Sequence, residues 1–238
     1  MTGASRGIGR AIALRLAEGG AAVLAVGTKA ALLDRLVEEI SARGGRARAL
    51  AGDVADPQLA EAAALAASEL GAVGTLVNNA GINLRTPTLS MALEDWKRVI
   101  DVNLNGTLHF CRAVLPGMAA RGHGAIVNIS STTAKTPHRN AAPAYGASKA
   151  AVNYLTMHLA REFAGRGVRV NAVCPGPVET DMTAQWDAAY RASVIGAVPL
   201  GRLGAAWEIA EIVAFLASDA AGFITGQTLD ANGGTVMG

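Results

Sequence analysis

The chain has 238 residues, 51% of them hydrophobic and only 4% aromatic, with a formal net charge of +2. That length buries a core without disulfides or metals, and no Pro/Ser-rich linker or charge run divides it, so residues 1–238 read as a single domain. Scattered Lys and Arg without interleaved aromatics argue against nucleic acid as a partner; the absence of an apolar run of about 18 residues, or of a signal peptide, argues against a membrane and for the cytoplasm.

In chain order, the first feature is a glycine-rich turn, Gly3-Ala4-Ser5-Arg6-Gly7-Ile8-Gly9. A helix follows, with Ile8, Ile12 and Leu16 on one face. Glycines let backbone approach a pyrophosphate closely, and the free N–H groups of a helix N-terminus suit the anion. The spacing alone fits a plain Gly-rich turn equally well. Ala21–Gly27 is an apolar run of strand length. Leu33, Leu36, Val37 and Ile40 then form a helical stripe. A strand around Ala47–Ala51 leads to Asp53, which reads either as a nucleotide contact or as the cap of a helix starting near Pro57.

Gly74–Val77 is the next short apolar run, followed by Asn78-Asn79-Ala80-Gly81. Ala125–Ile129 is another strand, and Ser131 stands just past its end. Val168–Val173 is the last clear apolar run. Glu179–Pro199 reads as a loop holding a short helix, and Ile209, Ile212, Val213 and Leu216 mark a final helix. Buried strands alternating with helices of 3.6 period imply right-handed crossovers and an α/β fold with a doubly wound parallel sheet. Ligands of such sheets sit outside the carboxyl ends of the strands, where these polar residues fall. Cys111 and Cys174 lie far apart, without metal-ligand spacing, and read as reduced structural thiols; no metal is expected.

Tyr145-Gly146-Ala147-Ser148-Lys149 carries the chemistry. On a helix, residues i and i+4 share a face. An ammonium beside a phenol favours the phenolate, making the tyrosine a usable acid or base near neutrality. Taken alone, the pair also fits two surface residues.

With its neighbours the pair does not stand alone. Thr2–Gly9, Asp53-Val54, Asn78–Gly81, Val102-Asn103, Ser130-Ser131, Tyr145–Lys149, Pro175–Thr180 and Ile224–Gln227 occur in one order. In this the chain resembles the short-chain dehydrogenase/reductase family in its compact TGxxxGxG form, over nearly its whole length. The resemblance implies a Rossmann-like sheet of order 3-2-1-4-5-6-7. It implies Tyr145 as proton donor or acceptor at the substrate oxygen, and Lys149 as the residue that tunes it and holds the nicotinamide ribose. Ser131, with Ser130 as the alternative, binds the substrate oxygen, and Asn103 anchors a water that relays protons to Lys149.

Cofactor contacts are implied at Gly3, Ser5, Arg6, Gly7, Ile8 and Gly9, at Asp53, Val54, Asn79, Ala80 and Gly81, and at Pro175, Gly176, Val178 and Thr180. The family's strand end that selects the cofactor falls on Gly27, followed by Thr28 and Lys29. No carboxylate repels a 2′-phosphate there, and Lys29, Thr28 and Arg6 could hold one. NADP is therefore expected, with NAD as the alternative.

Two departures stand out. The family's first strand is missing, since Met1 stands where its last residue would be; an upstream start is expected, the present N-terminus being a truncation. The Ser131–Tyr145 spacing is about one residue longer than in the family's carrier-protein reductases, and Lys135, His138, Arg139 and Asn140 in the loop Thr133–Pro143 line either the substrate side or solvent.

The C-terminal half, through Pro199–Gly204 and Gly222–Gly234, most resembles β-ketoacyl-carrier-protein reductases. Sugar, polyol and steroid dehydrogenases share those features, including NAD-linked ones. The expected function is hydride transfer between NADP(H) and a carbonyl or secondary-alcohol substrate, in a homotetramer. An acyl carrier protein partner would need a basic patch, for which Arg121, Arg166 and Arg169 are candidates. A non-catalytic nucleotide-sensing module on this fold would be the rival class, opposed by the intact Asn103, Ser131, Tyr145 and Lys149 set.

Overall fold

The computed structural model describes residues 1–138, 141–180 and 183–237. Six parallel strands are present among them: β1 (Val23–Gly27), β2 (Ala47–Ala51), β3 (Thr75–Asn78), β4 (Gly124–Ile129), β5 (Val168–Pro175) and β6 (Thr228–Ala231). β1 and β4 are buried along their whole length; β1 is apolar throughout, and β4 is apolar but for the buried Asn128. β2 is an edge strand, none of it fully buried, with Arg48 as its one polar residue.

Eight α-helices cover the strands: α1 (Gly7–Glu18), α2 (Ala30–Ala42), α3 (Pro57–Ser68), α4 (Leu93–Ile100), α5 (Gly106–Arg121), α6 (Pro143–Phe163), α7 (Ala188–Gly196) and α8 (Ala206–Ala217). On one face, Ile12 of α1 and Ile209, Val213 and Leu216 of α8 pack on Val77, Val127 and Val173. On the other, Leu59 of α3, Phe110 and Met118 of α5 and Leu159 of α6 pack on Leu76, Ile126 and Val170. The expected stripe of α2 is buried at Leu33, Leu36 and Ile40. Both faces are covered, as doubly wound sheets demand.

The sheet is interrupted. β2 pairs with β1, and β3-β4-β5-β6 form a second sheet. With β1 and β2 set at the second and third places of the expected order, the strands run 3-2, a gap, then 4-5-6-7. Thr2 bridges the gap, paired in parallel with Val26 and donating its N–H to Val77 O at 3.0 Å. Val26 N–H donates to Met1 O at 2.9 Å, and Ala4 N–H to Val26 O at 3.1 Å. Beyond these bonds a cleft of about 420 Å³ separates the sheets, lined by Leu24, Val26, Leu76 and Phe110.

A wide π-type turn, Asp101–Asn105, joins α4 to α5. Such turns often mark functional positions, and this one holds Asn103. The cap of α3 corrects the sequence reading. Asp56 accepts from Gln58 N–H at 2.9 Å, so Asp53 is free of that task.

Candidate active site

The polar residues that follow β1, β2, β3, β4 and β5 converge on one cleft. Of the residues expected to touch the cofactor, all but Lys29 line it. Lys29 is exposed, at the N-cap of α2.

Two glycines show why the loop needs this composition. A Cβ on Gly3, whose φ is +64°, would lie 2.7 Å from Asn79 Nδ2; on Gly9 it would lie 2.0 Å from Gly3 O. The loop is thus folded onto itself and onto Asn79. Asn79 Nδ2 donates to Gly3 O at 3.0 Å, and the Asn79 and Ala80 N–H groups donate to Thr2 Oγ1, each at 3.1 Å. Asn79 therefore buttresses the loop through its side chain. The first turn of α1 carries no acidic residue and its N-cap, Arg6, makes no side-chain cap bond, so its N–H groups stay available to an anion.

Asp53 accepts from Ala55 N–H at 3.1 Å and forms an ion pair with Arg98. Burial pushes its carboxyl up, but the Ala55 bond and the Arg98 guanidinium outweigh that and leave its pKa lowered. Arg98 lines the cleft and was missed in the sequence, because its partner lies 45 residues away and no spacing links them.

At the other end of the cleft, Ser131, Tyr145 and Lys149 meet. Ser131 follows β4 and accepts Thr133 N–H at 3.2 Å. Its hydroxyl lies near the Tyr145 side chain. Ser130, the alternative, turns its hydroxyl to Lys149 O at 3.2 Å and is buried. Lys149 Nζ donates to Ile129 O at 2.7 Å and lies 5.8 Å from the centre of the Tyr145 ring. Burial lowers the Lys149 pKa to about 8.

Burial pushes the Tyr145 hydroxyl above its usual pKa. The Lys149 ammonium is committed to Ile129 instead of reaching the phenol oxygen. At neutral pH Tyr145 is therefore a protonated donor.

Asn103 lies behind the cleft, fully buried. Its amide accepts Ile82 N–H at 2.8 Å and donates to Ile82 O at 3.0 Å and Ser148 Oγ at 3.0 Å. Ser148 in turn donates to Tyr145 O at 2.7 Å. Asn103 thus ties the residues after Gly81 to the helix that carries Tyr145. A Cβ on Gly81 would meet Asn103 Oδ1 at 3.3 Å and Lys149 Nζ at 3.4 Å, so the three form one corner.

Of the loop residues, Lys135 is paired with Asp230 at 2.6 Å and donates to Thr228 O at 3.1 Å, holding the turn after Ser131 against β6. Arg139 and Asn140 lie outside the described residues. Arg169 donates to Leu216 O and Ser218 O, Arg121 donates to Val73 O, and Arg166 stacks on Phe163. Two of the three proposed patch residues are thus spent on backbone carbonyls. Cys111 and Cys174 are free thiols, both buried. Among the described residues, no helix is long and apolar enough to cross a membrane.

A family model of the short-chain dehydrogenases, described as enoyl-(acyl carrier protein) reductase, matches residues 3–236. The chain belongs to the short-chain dehydrogenase/reductase family and is an NAD(P)-dependent oxidoreductase. It is 41% identical to the 3-oxoacyl-[acyl-carrier-protein] reductase FabG of Pseudomonas aeruginosa, over 100% of this chain and 96% of that protein. A solved 3-oxoacyl-[acyl-carrier protein] reductase from Brucella melitensis is similar at TM-score 0.96 and 40% identity, covering 100% of this chain and 90% of that one. A Beutenbergia cavernae structure, described as an NAD(P)-dependent gluconate 5-dehydrogenase with NADP at low occupancy, is similar at TM-score 0.93 and 42% identity. It covers 98% of this chain and 94% of its own.

Proposed function

We propose that residues 1–238 act as one dinucleotide-binding and catalytic domain that reduces a ketone with NADPH or oxidises the corresponding secondary alcohol with NADP. The observation that carries this is the convergence of Ser131, Tyr145 and Lys149 at one end of a cleft whose other end is the Gly3–Gly9 loop. The residues fit a dinucleotide: glycines that a Cβ would block, free N–H groups at α1, and no carboxylate at Gly27. Arg6 and Thr28 line the adenosine end and would hold a 2′-phosphate, with Lys29 as a nearby cation. Asp53 and Val54 would flank the adenine, and Val178 and Thr180 would hold the carboxamide. The bound nicotinamide supplies the hydride chemistry.

The protein's own task is orientation and proton transfer. Ser131 Oγ and the Tyr145 hydroxyl, which line the same end of the cleft, would both turn to the substrate oxygen. Tyr145, held protonated by burial, would donate its proton as charge develops on that oxygen. Lys149 would replace that proton, and its pKa of about 8 suits the transfer near neutrality. Asn103 would hold the corner through which Lys149 is re-protonated.

A homotetramer is the expected assembly. Leu93 and Trp96 of α4, Tyr154 and Met157 of α6, and Trp207 and Phe215 of α8 are large apolar side chains left exposed. Closed symmetric packing would cover them; sedimentation at micromolar concentration tests this, and a monomer contradicts it. A cytoplasmic location goes with this reading.

A second reading, reduction of a 3-oxoacyl group on an acyl carrier protein, is favoured by the identity to the Pseudomonas reductase. The commitment of Arg121 and Arg169 to backbone carbonyls counts against those two as its basic patch. A screen of 3-oxoacyl thioesters, ketoses and simple ketones, followed by nicotinamide absorbance, separates the readings.

A further inference from the structure

Trp186 stands in the wall of the cleft that holds Ser131 and Tyr145. It follows the short turn Thr183–Gln185 and precedes Asp187, which caps α7 by accepting Tyr190 N–H at 2.8 Å. Both flanks are fixed. Thr180 N–H donates to Thr183 Oγ1 at 2.8 Å, and that hydroxyl donates to Thr180 O at 2.9 Å. Trp186 N–H donates to Thr183 O at 3.2 Å, and the Tyr190 ring meets the indole edge-on at 5.0 Å and 76°.

Against this ordered setting, one polar atom is unpartnered. Trp186 Nε1 is buried and makes no hydrogen bond. An indole N–H is a donor only, and a buried donor without an acceptor costs more than a made bond contributes. Native structures keep few such atoms, and one in the wall of a binding cleft calls for an acceptor supplied by an occupant. The residues expected to hold the nicotinamide end at Thr180. Trp186 lies six positions further on, after the chain has turned through Thr183–Gln185. The remaining occupant is the substrate.

We propose that Trp186 is a substrate-specificity residue whose indole N–H donates to a second oxygen of the substrate, beyond the reacting carbonyl. This rests on the carbonyl-reductase reading above. The favoured substrates are therefore oxygenated ketones: a 3-oxo ester or thioester, whose ester carbonyl is the acceptor, or a hydroxylated oxo-acid, whose hydroxyl is. A simple aliphatic ketone leaves the donor unpaired. Sites built around a hydrogen bond reject analogues that lack it more strongly than apolar pockets reject a missing methylene.

The test compares wild type with Trp186→Phe, which keeps an aromatic ring for Tyr190 and removes the donor with the pyrrole part of the indole, on ethyl acetoacetate, a 5-oxo-hexonic acid and 2-hexanone, all with NADPH. Wild-type turnover of any of these supports the carbonyl-reductase reading independently of Trp186. The selectivity for the better oxygenated ketone over 2-hexanone is expected to fall about tenfold in Trp186→Phe, or about 1.4 kcal/mol, chiefly through KM. Trp186→His, which keeps an N–H, should recover part of it. Whichever oxygenated ketone shows the fall identifies the acceptor as ester carbonyl or hydroxyl. An unchanged selectivity overturns the proposal. So does a rise in the NADPH dissociation constant that matches the loss, since it assigns the N–H to the cofactor. If Trp186→Phe does not fold, product inhibition of wild type decides: ethyl 3-hydroxybutanoate must bind about tenfold more tightly than 2-hexanol, and equal constants overturn the proposal.

Discussion

Lys149 Nζ donates to the carbonyl oxygen of Ile129 at 2.7 Å, at the end of β4 and directly below the active serine. The ammonium is fully inside the protein, and burial lowers its pKa to about 8 from an ordinary 10.5. Below pH 8 the folded state therefore carries a charge it disfavours, while the unfolded chain keeps its proton up to about 10.5. The unfolded state binds more protons between those values, so stability rises with pH across that window. Replacing Lys149 by Met removes the titration. Lys149→Met is expected to be more stable than wild type below pH 8, on the order of 2–3 kcal/mol from the shift, and inactive. Its advantage should shrink as pH rises from 8 to 10.5. Urea unfolding at pH 7 and pH 10 checks this, and a constant difference contradicts it.

Tyr145→Phe removes one hydroxyl and leaves the ring in place. Turnover should fall by about 10²–10⁴-fold. The NADPH dissociation constant should move little, because the Gly3–Gly9 loop is untouched. The Ser131 hydroxyl keeps its bond from Thr133 N–H, so the turn after β4 stays built. Steady-state rates together with a cofactor titration measure the two effects separately.

Much of this site was legible because it sits at strand ends. β1, β3, β4 and β5 are mostly apolar and buried, and the polar residues just after them gather at the cleft. The glycine loop, Ser131, Tyr145 and Lys149 were readable for that reason. Arg98 and Trp186 were not, since each reaches the cleft through tertiary packing that leaves no periodicity. The direction taken by the Lys149 ammonium was not legible for a related reason. A spacing of four puts Lys149 on the tyrosine's face of the helix, but it does not say that the ammonium will turn to Ile129 O. The bridging of the two sheets by Thr2 was not legible either, because it depends on two partners 24 and 75 residues distant.

A row of buried amides crosses the sheet beneath the site. Asn78 Nδ2 donates to Asn128 Oδ1 at 2.9 Å, and Asn128 Nδ2 donates to Thr156 Oγ1 at 2.9 Å. Asn128→Ala would take one partner from each neighbour, leaving Asn78 Nδ2 only Cys111 Sγ and Thr156 Oγ1 only Val152 O, and would leave a cavity. A destabilisation of about 2–4 kcal/mol is expected from those two costs together. Chemical denaturation should show it as a lower midpoint at unchanged slope.

Cofactor choice should turn on Gly27. A Cβ there would meet Leu33 Cδ2 at 3.6 Å and Ser5 Oγ at 3.7 Å, ordinary contacts, so an aspartate can be seated. Its carboxylate would bond a ribose 2′-hydroxyl and repel a 2′-phosphate. Wild type is expected to favour NADPH, Lys29→Ala to favour it less, and Gly27→Asp to favour NADH. The kcat/KM values for both cofactors on one ketone measure this. A wild-type preference for NADH of about tenfold, or about 1.4 kcal/mol, contradicts the reading of this strand end.

The most direct test follows deuterium. NADPH carrying deuterium at the nicotinamide C4 is mixed with an oxygenated ketone and wild-type protein, and the alcohol is analysed by mass. The account predicts deuterium on the carbinol carbon from one face of the cofactor only, one alcohol for each NADPH consumed, and no product beyond background with Tyr145→Phe. Alcohol without deuterium, or full activity in Tyr145→Phe, would contradict it.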